Sequence, residues 1–321
     1  MTRVTHAEAE METTIVRREI VAADIVRLTL QLSSGDEFPE WEPGAHVDLL
    51  LQPDLVRQYS LCGDPADRSI LQVAVLREPS GRGGSAFVHD TLTEGDRLRI
   101  RGPRNNFPLA SAGEYIFIAG GIGITPILPM LRQVDRAGIP WRLIYGGRSR
   151  ESMAFHAELA ERHGDRVSIQ PQSEVGLLDL AAAIGTPRDA VAVYCCGPEG
   201  LLQAVEQQCQ QWPPGSLHVE RFAAKAAVES EASASFEVEL AQSGQTLTVP
   251  ADRSIADVLR DAGVEVPVSC LEGICGTCET AVFAGTPDHR DSILSDEERA
   301  ANDTMFICVS RSRTPLLRID R

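Results

Sequence analysis

Short runs of alternating apolar and polar residues fill the first third of the chain: Thr14 to Ile20, Ile25 to Leu32, His46 to Leu51, Ser69 to Arg77 and Arg97 to Arg101. Side chains alternate between the two faces of a strand, so this period marks strands with one face buried. Ser33-Ser34-Gly35-Asp36, Pro43-Gly44, Gly63-Asp64-Pro65 and Gly81 to Gly84 punctuate the runs. Turn residues at that spacing predict an antiparallel β-barrel or sandwich over residues 1–110.

At Tyr115 the pattern changes. Solid apolar runs at Tyr115–Ala119, Trp141–Tyr145, Val167–Gln170 and Ala190–Cys195 are interleaved with helical periodicity at Pro126–Ala137 and Pro198–Gln211. Strands without alternation are buried on both faces, and strands alternating with helices build a parallel sheet from βαβ units. A doubly wound α/β domain is predicted over 111–225. The small, charged, aperiodic stretch 223–234 predicts a linker, placed at 226–234. In the remaining 235–321, Phe236–Leu240 and Gln245–Val249 predict a hairpin across Ser243-Gly244. Ser254–Ala262 predicts a helix with a Ser-x-x-Asp cap at its start and Gly263 at its end. The expected fold class is multidomain: β, then α/β, then α+β.

Composition narrows the function. The 321 residues suit two or three domains, and 43% hydrophobic with 24% charged residues is the balance of a globular protein. A net charge of −16 and a pI near 4.9 argue against nucleic acid or an anionic membrane as partner. Lys225 is the only lysine, so the positive charge is almost all arginine. No apolar run approaches the roughly 20 residues of a membrane span, and the first twelve residues lack the regions of a secretory signal. A cytoplasmic monomer is expected.

The most specific chemistry is Cys270-x4-Cys275-x2-Cys278, with Cys308 after 29 further residues. This is the plant-type ligand spacing for a [2Fe-2S] cluster. Four thiolates also satisfy tetrahedral zinc, but zinc ribbons usually pair two C-x2-C knuckles, which the first half of this pattern does not supply. Cys62, Cys195 and Cys209 read as packing residues.

One strand segment and two glycine-bearing loops point to phosphate. Arg57-Gln58-Tyr59-Ser60 places a cation and an aromatic on one face of a strand, although a half-buried surface strand explains it as well. Gly81-Arg82-Gly83-Gly84-Ser85 lets backbone approach an anion, with Ser85 expected to cap the following helix. Gly120-Gly121-Ile122-Gly123-Ile124-Thr125-Pro126 follows an apolar strand and opens a helix, the context of a dinucleotide pyrophosphate site. It departs from G-x-G-x-x-G at the last glycine. Cys196-Gly197-Pro198-Glu199-Gly200 repeats the strand-to-helix context, and a plain turn with a buried thiol fits it equally.

Together these motifs resemble the phthalate dioxygenase reductase type of FMN-dependent oxygenase reductase, within the ferredoxin-NADP reductase superfamily. The resemblance implies a flavin-binding β-barrel, a pyridine-nucleotide domain and a C-terminal β-grasp ferredoxin domain. It places the flavin at Arg57, Gln58, Tyr59, Ser60, Ala74, Leu76, Arg82, Gly84 and Ser85. Nicotinamide falls to Gly121, Ile122, Gly123, Thr125, Cys196, Gly197 and Pro198. Thr125 and Cys196 would lie near the reacting atoms, and Phe222 would stack on the flavin ring. The cluster ligands are Cys270, Cys275, Cys278 and Cys308. The implied reaction carries electrons from NADH through FMN to the cluster and on to a Rieske-type terminal oxygenase. Arg148 and Arg150, after the strand ending at Tyr145, could read a 2′-phosphate and so keep NADPH in view. The runner-up is an FAD-binding reductase serving a cytochrome P450. Residues 235–321 carry eight arginines against fifteen acidic side chains, a net of −7, which suits a basic patch on the electron acceptor. A redox sensor without a turnover partner and a zinc-stabilised, non-redox module are the readings from other classes.

Overall fold

The computed structural model describes residues 9–53, 55–223 and 234–321. The expected linker at 226–234 lies almost wholly outside them. Two compact units divide the chain, Met1–Glu220 and Arg221–Arg321.

The first unit opens with six antiparallel strands: β1 (Glu10–Ala22), β2 (Ile25–Leu32), β3 (Ala45–Gln52), β4 (Leu55–Ser60), β5 (Leu71–Leu76) and β6 (Arg97–Asn105). Their order is β4-β3-β6-β1-β2-β5, and a bridge from Leu61 to Val73 joins the two edges. A barrel results, its two edge strands drawn together at that bridge. Its core is the inward set of each alternating strand, including Val26, Leu28, Val47, Leu49 and Ile100. Helix α1 (Gly84–Asp90) lies between β5 and β6. Ser85 does not cap it. Gly83 holds the N-cap position at φ 80°, a left-handed conformation glycine adopts without strain. That moves Ser85 inside the first turn, where its Oγ accepts from Glu78 N at 3.0 Å.

A five-stranded parallel sheet follows: β7 (Glu114–Gly120), β8 (Trp141–Gly147), β9 (Val167–Pro171), β10 (Val191–Cys196) and β11 (Leu217–Glu220), in the order β11-β10-β7-β8-β9. Helices α2 (Ile124–Arg136), α3 (His156–His163), α4 (Gln172–Val175), α5 (Leu180–Ile184) and α6 (Glu199–Gln208) connect the strands. Ile127 and Leu131 of α2 cover the face bearing Phe117 and Tyr145. Leu202 and Val205 of α6 cover the face bearing Ile118 and Val193. Strand order reverses between β7 and β10, so their carboxyl ends flank the crevice where such sheets bind ligands.

The barrel and the parallel sheet share a core. Ile25, Cys62, Ala74 and Phe107 of the barrel side belong to the same buried cluster as Tyr115, Phe117, Ile127 and Tyr194. Arg132 of α2 donates to Cys62 O at 2.9 Å and Gly63 O at 2.5 Å, and Tyr194 Oη donates to Pro108 O at 2.9 Å.

The second unit is a mixed sheet of β12 (Phe236–Leu240), β13 (Thr246–Val249), β14 (Glu279–Ala284), β16 (Thr304–Phe306) and β18 (Leu316–Ile319), in the order β13-β12-β18-β14-β16. The minor ribbon pairs β15 (Pro287–Asp288) with β17 (Arg311–Ser312), and the helices are α7 (Ile255–Asp261) and α8 (Asp296–Ala301). The predicted hairpin forms with Phe236 opposite Val249. Ser254 Oγ caps α7 by accepting from Asp257 N at 3.1 Å, and Gly263 ends it at φ 78°. Val238, Leu259, Phe306 and Leu317 sit in the core. Among the described residues no helix is long and apolar enough to cross a membrane.

Candidate functional site

On the barrel, β4 gathers four of the expected flavin residues. Arg57 Nη2 donates to Arg82 O at 2.5 Å and Nη1 to Val56 O at 2.7 Å. A Cβ on Gly84 would stand 2.3 Å from Arg57 Cγ, so the arginine stem crosses the start of α1 only because that position is glycine. Arg57, Arg82, Gly84 and Ser85 thus form one cationic loop edge. Tyr59 follows on the face of Arg57. Burial pushes its phenol up to about 12, against the pull of Arg57, so it remains a hydrogen-bond donor at neutral pH. Gln58, paired with Asp48 across β3, alternates to the opposite face. Ala74 is 4% exposed and its side chain packs in the shared core, which leaves only its backbone to a ligand; Leu76 packs at the margin of the same core.

At the sheet's switch point the two glycine loops meet. Residues Gly121–Gly123 form a single 3-10 turn between β7 and α2, and Gly121 has φ 55°. A Cβ on Gly123 would lie 2.2 Å from Cys196 O and 2.7 Å from Gly197 N, and one on Gly120 would lie 2.7 Å from Pro198 Cδ. The loops are therefore packed backbone to backbone, a distance that only glycine permits. Thr125 is 2% exposed and donates its hydroxyl to Ile122 O at 3.0 Å. Its side chain shapes the turn.

Between loop and barrel stands a trio that sequence reading missed in part. Cys196 Sγ lies 3.9 Å from Glu220 Oε2 at the end of β11, and Ser60 at the end of β4 also hydrogen-bonds Glu220. Burial raises the Glu220 carboxyl to about 8, although both hydrogen bonds pull it down. Burial and the neighbouring Glu220 hold the Cys196 thiol well above its ordinary value. At neutral pH the trio is a store of uncharged donors beside the nucleotide loops. Glu220 was overlooked because β11 is four half-buried residues without clear alternation. Phe222 lies just beyond, in the second unit, with 41% of its surface exposed.

Arg148 and Arg150 follow β8, as expected. Arg150 is gripped by Glu174 of α4, Nε to Oε1 at 2.7 Å and Nη2 to Oε2 at 2.8 Å. Arg148 is exposed, and its carbonyl accepts from Ser173 N at 3.0 Å.

In the second unit, Cys270, Cys275, Cys278 and Cys308 are buried free thiols. They fall into two hydrogen-bonded pairs, Cys270 with Cys275 and Cys278 with Cys308, joined through Cys270 and Cys308. Glu272 N donates to Cys270 Sγ at 3.3 Å. Among the described residues no three His, Cys, Asp or Glu side chains surround one point as a single-ion site requires. Two linked thiol pairs fit a dinuclear cluster, which takes its thiolates two to an iron. The hydrogen bond with Cys270, then burial, pushes the Cys275 thiol up. For Cys308 the Cys270 bond lowers and the Cys278 bond and burial raise, leaving it at about 12. Ligation must therefore displace protons.

Behind the loop, Gly273 holds φ 68°, and a Cβ there would lie 2.9 Å from Asp291 Cα. Ser292 N donates to Gly273 O at 2.9 Å. Asp291, 4% exposed, accepts from Ile293 N at 3.0 Å, Leu294 N at 2.9 Å and Arg299 Nη2 at 3.3 Å. This brace was not legible beforehand. Cys62, Cys195 and Cys209 are packing residues, as expected.

Three domain families match in order. Residues 12–108 match the oxidoreductase FAD-binding domain, 117–207 the oxidoreductase NAD-binding domain, and 238–313 the 2Fe-2S iron-sulfur cluster binding domain. The chain is 45% identical over 301 residues to phenoxybenzoate dioxygenase subunit beta of Ectopseudomonas oleovorans, covering 93% of each chain. Phthalate dioxygenase reductase of Burkholderia cepacia is 38% identical over 95% of this chain and 96% of that one. A solved phthalate dioxygenase reductase gives a TM-score of 0.72 at 38% identity over 98% of both chains. An intact type IV self-sufficient cytochrome P450 monooxygenase gives 0.91 at 42% identity, over 97% of this chain and 41% of that one.

Proposed function

Because the chain belongs to the phthalate dioxygenase reductase family, the NAD(P)H-dependent flavin and [2Fe-2S] reductases of oxygenase systems, we propose that it draws on NADH, binds FMN and serves a Rieske-type terminal oxygenase. The observation that carries the reading is the backbone contact of the two glycine loops at the switch point, beside Ser60 and β5 of the barrel. Bound flavin would supply conversion of the two electrons of one hydride into single electrons, and the bound cluster a one-electron carrier.

Arg57, Arg82 and Ser85 would hold the flavin phosphate, and Tyr59, Ser60 and the backbone of Ala74 and Leu76 the ring. Gly121 to Gly123 and Cys196 to Pro198 would orient the nicotinamide, with Thr125 fixing the loop and Phe222 stacking on the flavin. Arg57 and Arg82 provide charge for one terminal phosphate, which supports FMN although the matched domain family is described as FAD-binding. The grip of Glu174 on Arg150 supports NADH: the Nε/Nη2 edge of that guanidinium is occupied, and the carboxylate would repel a 2′-phosphate. Electrostatic docking of the acidic second unit to a basic acceptor, a monomeric state and a cytoplasmic location complete the proposal.

An anaerobic visible spectrum before and after NADH, with mass analysis of the extracted flavin, tests it. Flavin and iron–sulfur bands that bleach together, and released FMN, are expected; absence of either chromophore refutes it. The P450 monooxygenase match favours one alternative acceptor, a haem thiolate. Reduction rates with purified Rieske and P450 acceptors separate the two.

A further inference from the structure

The last strand of the second unit brings a positive charge back to the cluster loop. Cys278 is followed directly by β14, and β14 pairs antiparallel with β18, Val282 opposite Ile319. Asp320 N donates to Ala281 O at 3.0 Å, which keeps the chain beyond β18 alongside β14. Arg321 therefore arrives next to the residues that leave the cluster loop.

Its guanidinium points into backbone. Nη2 donates to Thr280 Oγ1 at 2.8 Å and to Glu279 O at 3.2 Å, and Thr280 Oγ1 donates in turn to Cys278 O at 3.2 Å. Thr280 is 2% exposed. Arg321 is half-buried, and its Nε is buried without a hydrogen-bond partner among the described residues. Buried arginine ordinarily sits against a carboxylate. The neighbouring carboxylates make their hydrogen bonds to other groups, Asp320 accepting from Gln242 Nε2 at 3.0 Å and Glu279 from Thr304 Oγ1 at 3.1 Å, while the Asp320 charge still acts on the guanidinium from a distance. Among the described residues no ion pair neutralises Arg321. Burial lowers its pKa from the ordinary value while Asp320 and Cys278 draw it back up, and a guanidinium remains charged throughout.

Building on the cluster reading, we propose that Arg321 is a positioning residue that raises the reduction potential of the [2Fe-2S] cluster, its charge coupled to the ligand Cys278 through the Thr280 hydroxyl. Reduction adds one negative charge to the cluster. A cation with no carboxylate paired to it, in a partly desolvated site, stabilises that reduced form, and the hydrogen-bond relay polarises the ligand residue in the same direction. The acidic surface of the same unit works the other way, which gives an inward-facing cation its leverage.

The test is an EPR-monitored redox titration of the full-length holoprotein, after iron and acid-labile sulfide are quantified. Arg321→Met keeps the aliphatic stem and removes the charge; Arg321→Lys keeps the charge; Thr280→Val cuts the relay. The cluster's one-electron equilibrium is expected to shift about tenfold toward oxidised in Arg321→Met, about 59 mV. Thr280→Val should shift it in the same direction by less, and Arg321→Lys should stay with the wild type. The flavin potential is the internal control and should not move. Full cluster content with an unchanged potential in Arg321→Met overturns the inference, as do equal shifts in the Lys and Met variants. Should Arg321→Met fail to hold its cluster, Thr280→Val decides, and an unchanged potential there refutes the coupling. Wild-type protein without iron and sulfide overturns the cluster reading itself.

Discussion

Glu220 permits a worked prediction. Burial raises its carboxyl from about 4.5 to about 8. Between those pH values the folded protein keeps the proton and the unfolded chain releases it, so the folded state binds more protons and stability falls as pH rises through that window. At about 1.4 kcal/mol for each pH unit, the difference bounds the loss near 5 kcal/mol. The side chain is half-buried, and solvent screening reduces the expected loss to about 1–3 kcal/mol. Glu220→Gln removes the titration and should flatten the pH dependence by that amount. All three tryptophans, Trp41, Trp141 and Trp212, lie in the first unit, so their fluorescence during urea unfolding reports on it directly. Comparison at pH 5, 7 and 9 gives the slope for each protein. An infrared carboxylic-acid band lost on substitution and titrating near pH 8 should accompany it. Equal slopes in the two proteins, or a band that titrates near pH 4.5, refute the burial argument.

Gly123→Ala should separate the two nucleotide loops, because the new methyl would overlap Cys196 O; NADH affinity is expected to fall by at least tenfold in stopped-flow binding while the cluster's EPR signal is unchanged. Glu174→Gln should release Arg150 and raise kcat/KM for NADPH severalfold relative to NADH, read from steady-state reduction of an artificial acceptor. Asp291→Asn leaves a buried brace half-satisfied and should speed loss of the cluster on dilution or chelation, followed by decay of its visible absorption, at a cost of about 1–3 kcal/mol in unfolding.

Barrel strands, parallel sheet and cysteine ligands were legible because each has a local signature: period two, solid apolar runs, or fixed spacing. Five strands in the first domain and the β12–β13 hairpin followed directly from alternation. Helices α3 and α5 are short and largely exposed, so periodicity had too few turns to register. Most strands after Cys278 span two to four residues, below the length at which alternation is informative. The site divides similarly. Glycines and cysteines announced themselves by type, whereas Glu220, Asp291 and Glu174 act through partners distant in sequence. Ser85 shows a local rule losing to a neighbour: a serine looks like a cap until Gly83 takes the left-handed turn ahead of it.

The joint core of barrel and parallel sheet sets the grain along which such proteins can be recombined. A chimera that exchanged the barrel alone would leave Ile25, Cys62, Ala74 and Phe107 facing foreign side chains and Arg132 without its two carbonyls. The natural cassette runs through Glu220, and the second unit, with its self-contained core, is the exchangeable cartridge. With the acceptor docking proposed above on the second unit, grafting a new acceptor specificity onto this reductase should begin with that cartridge.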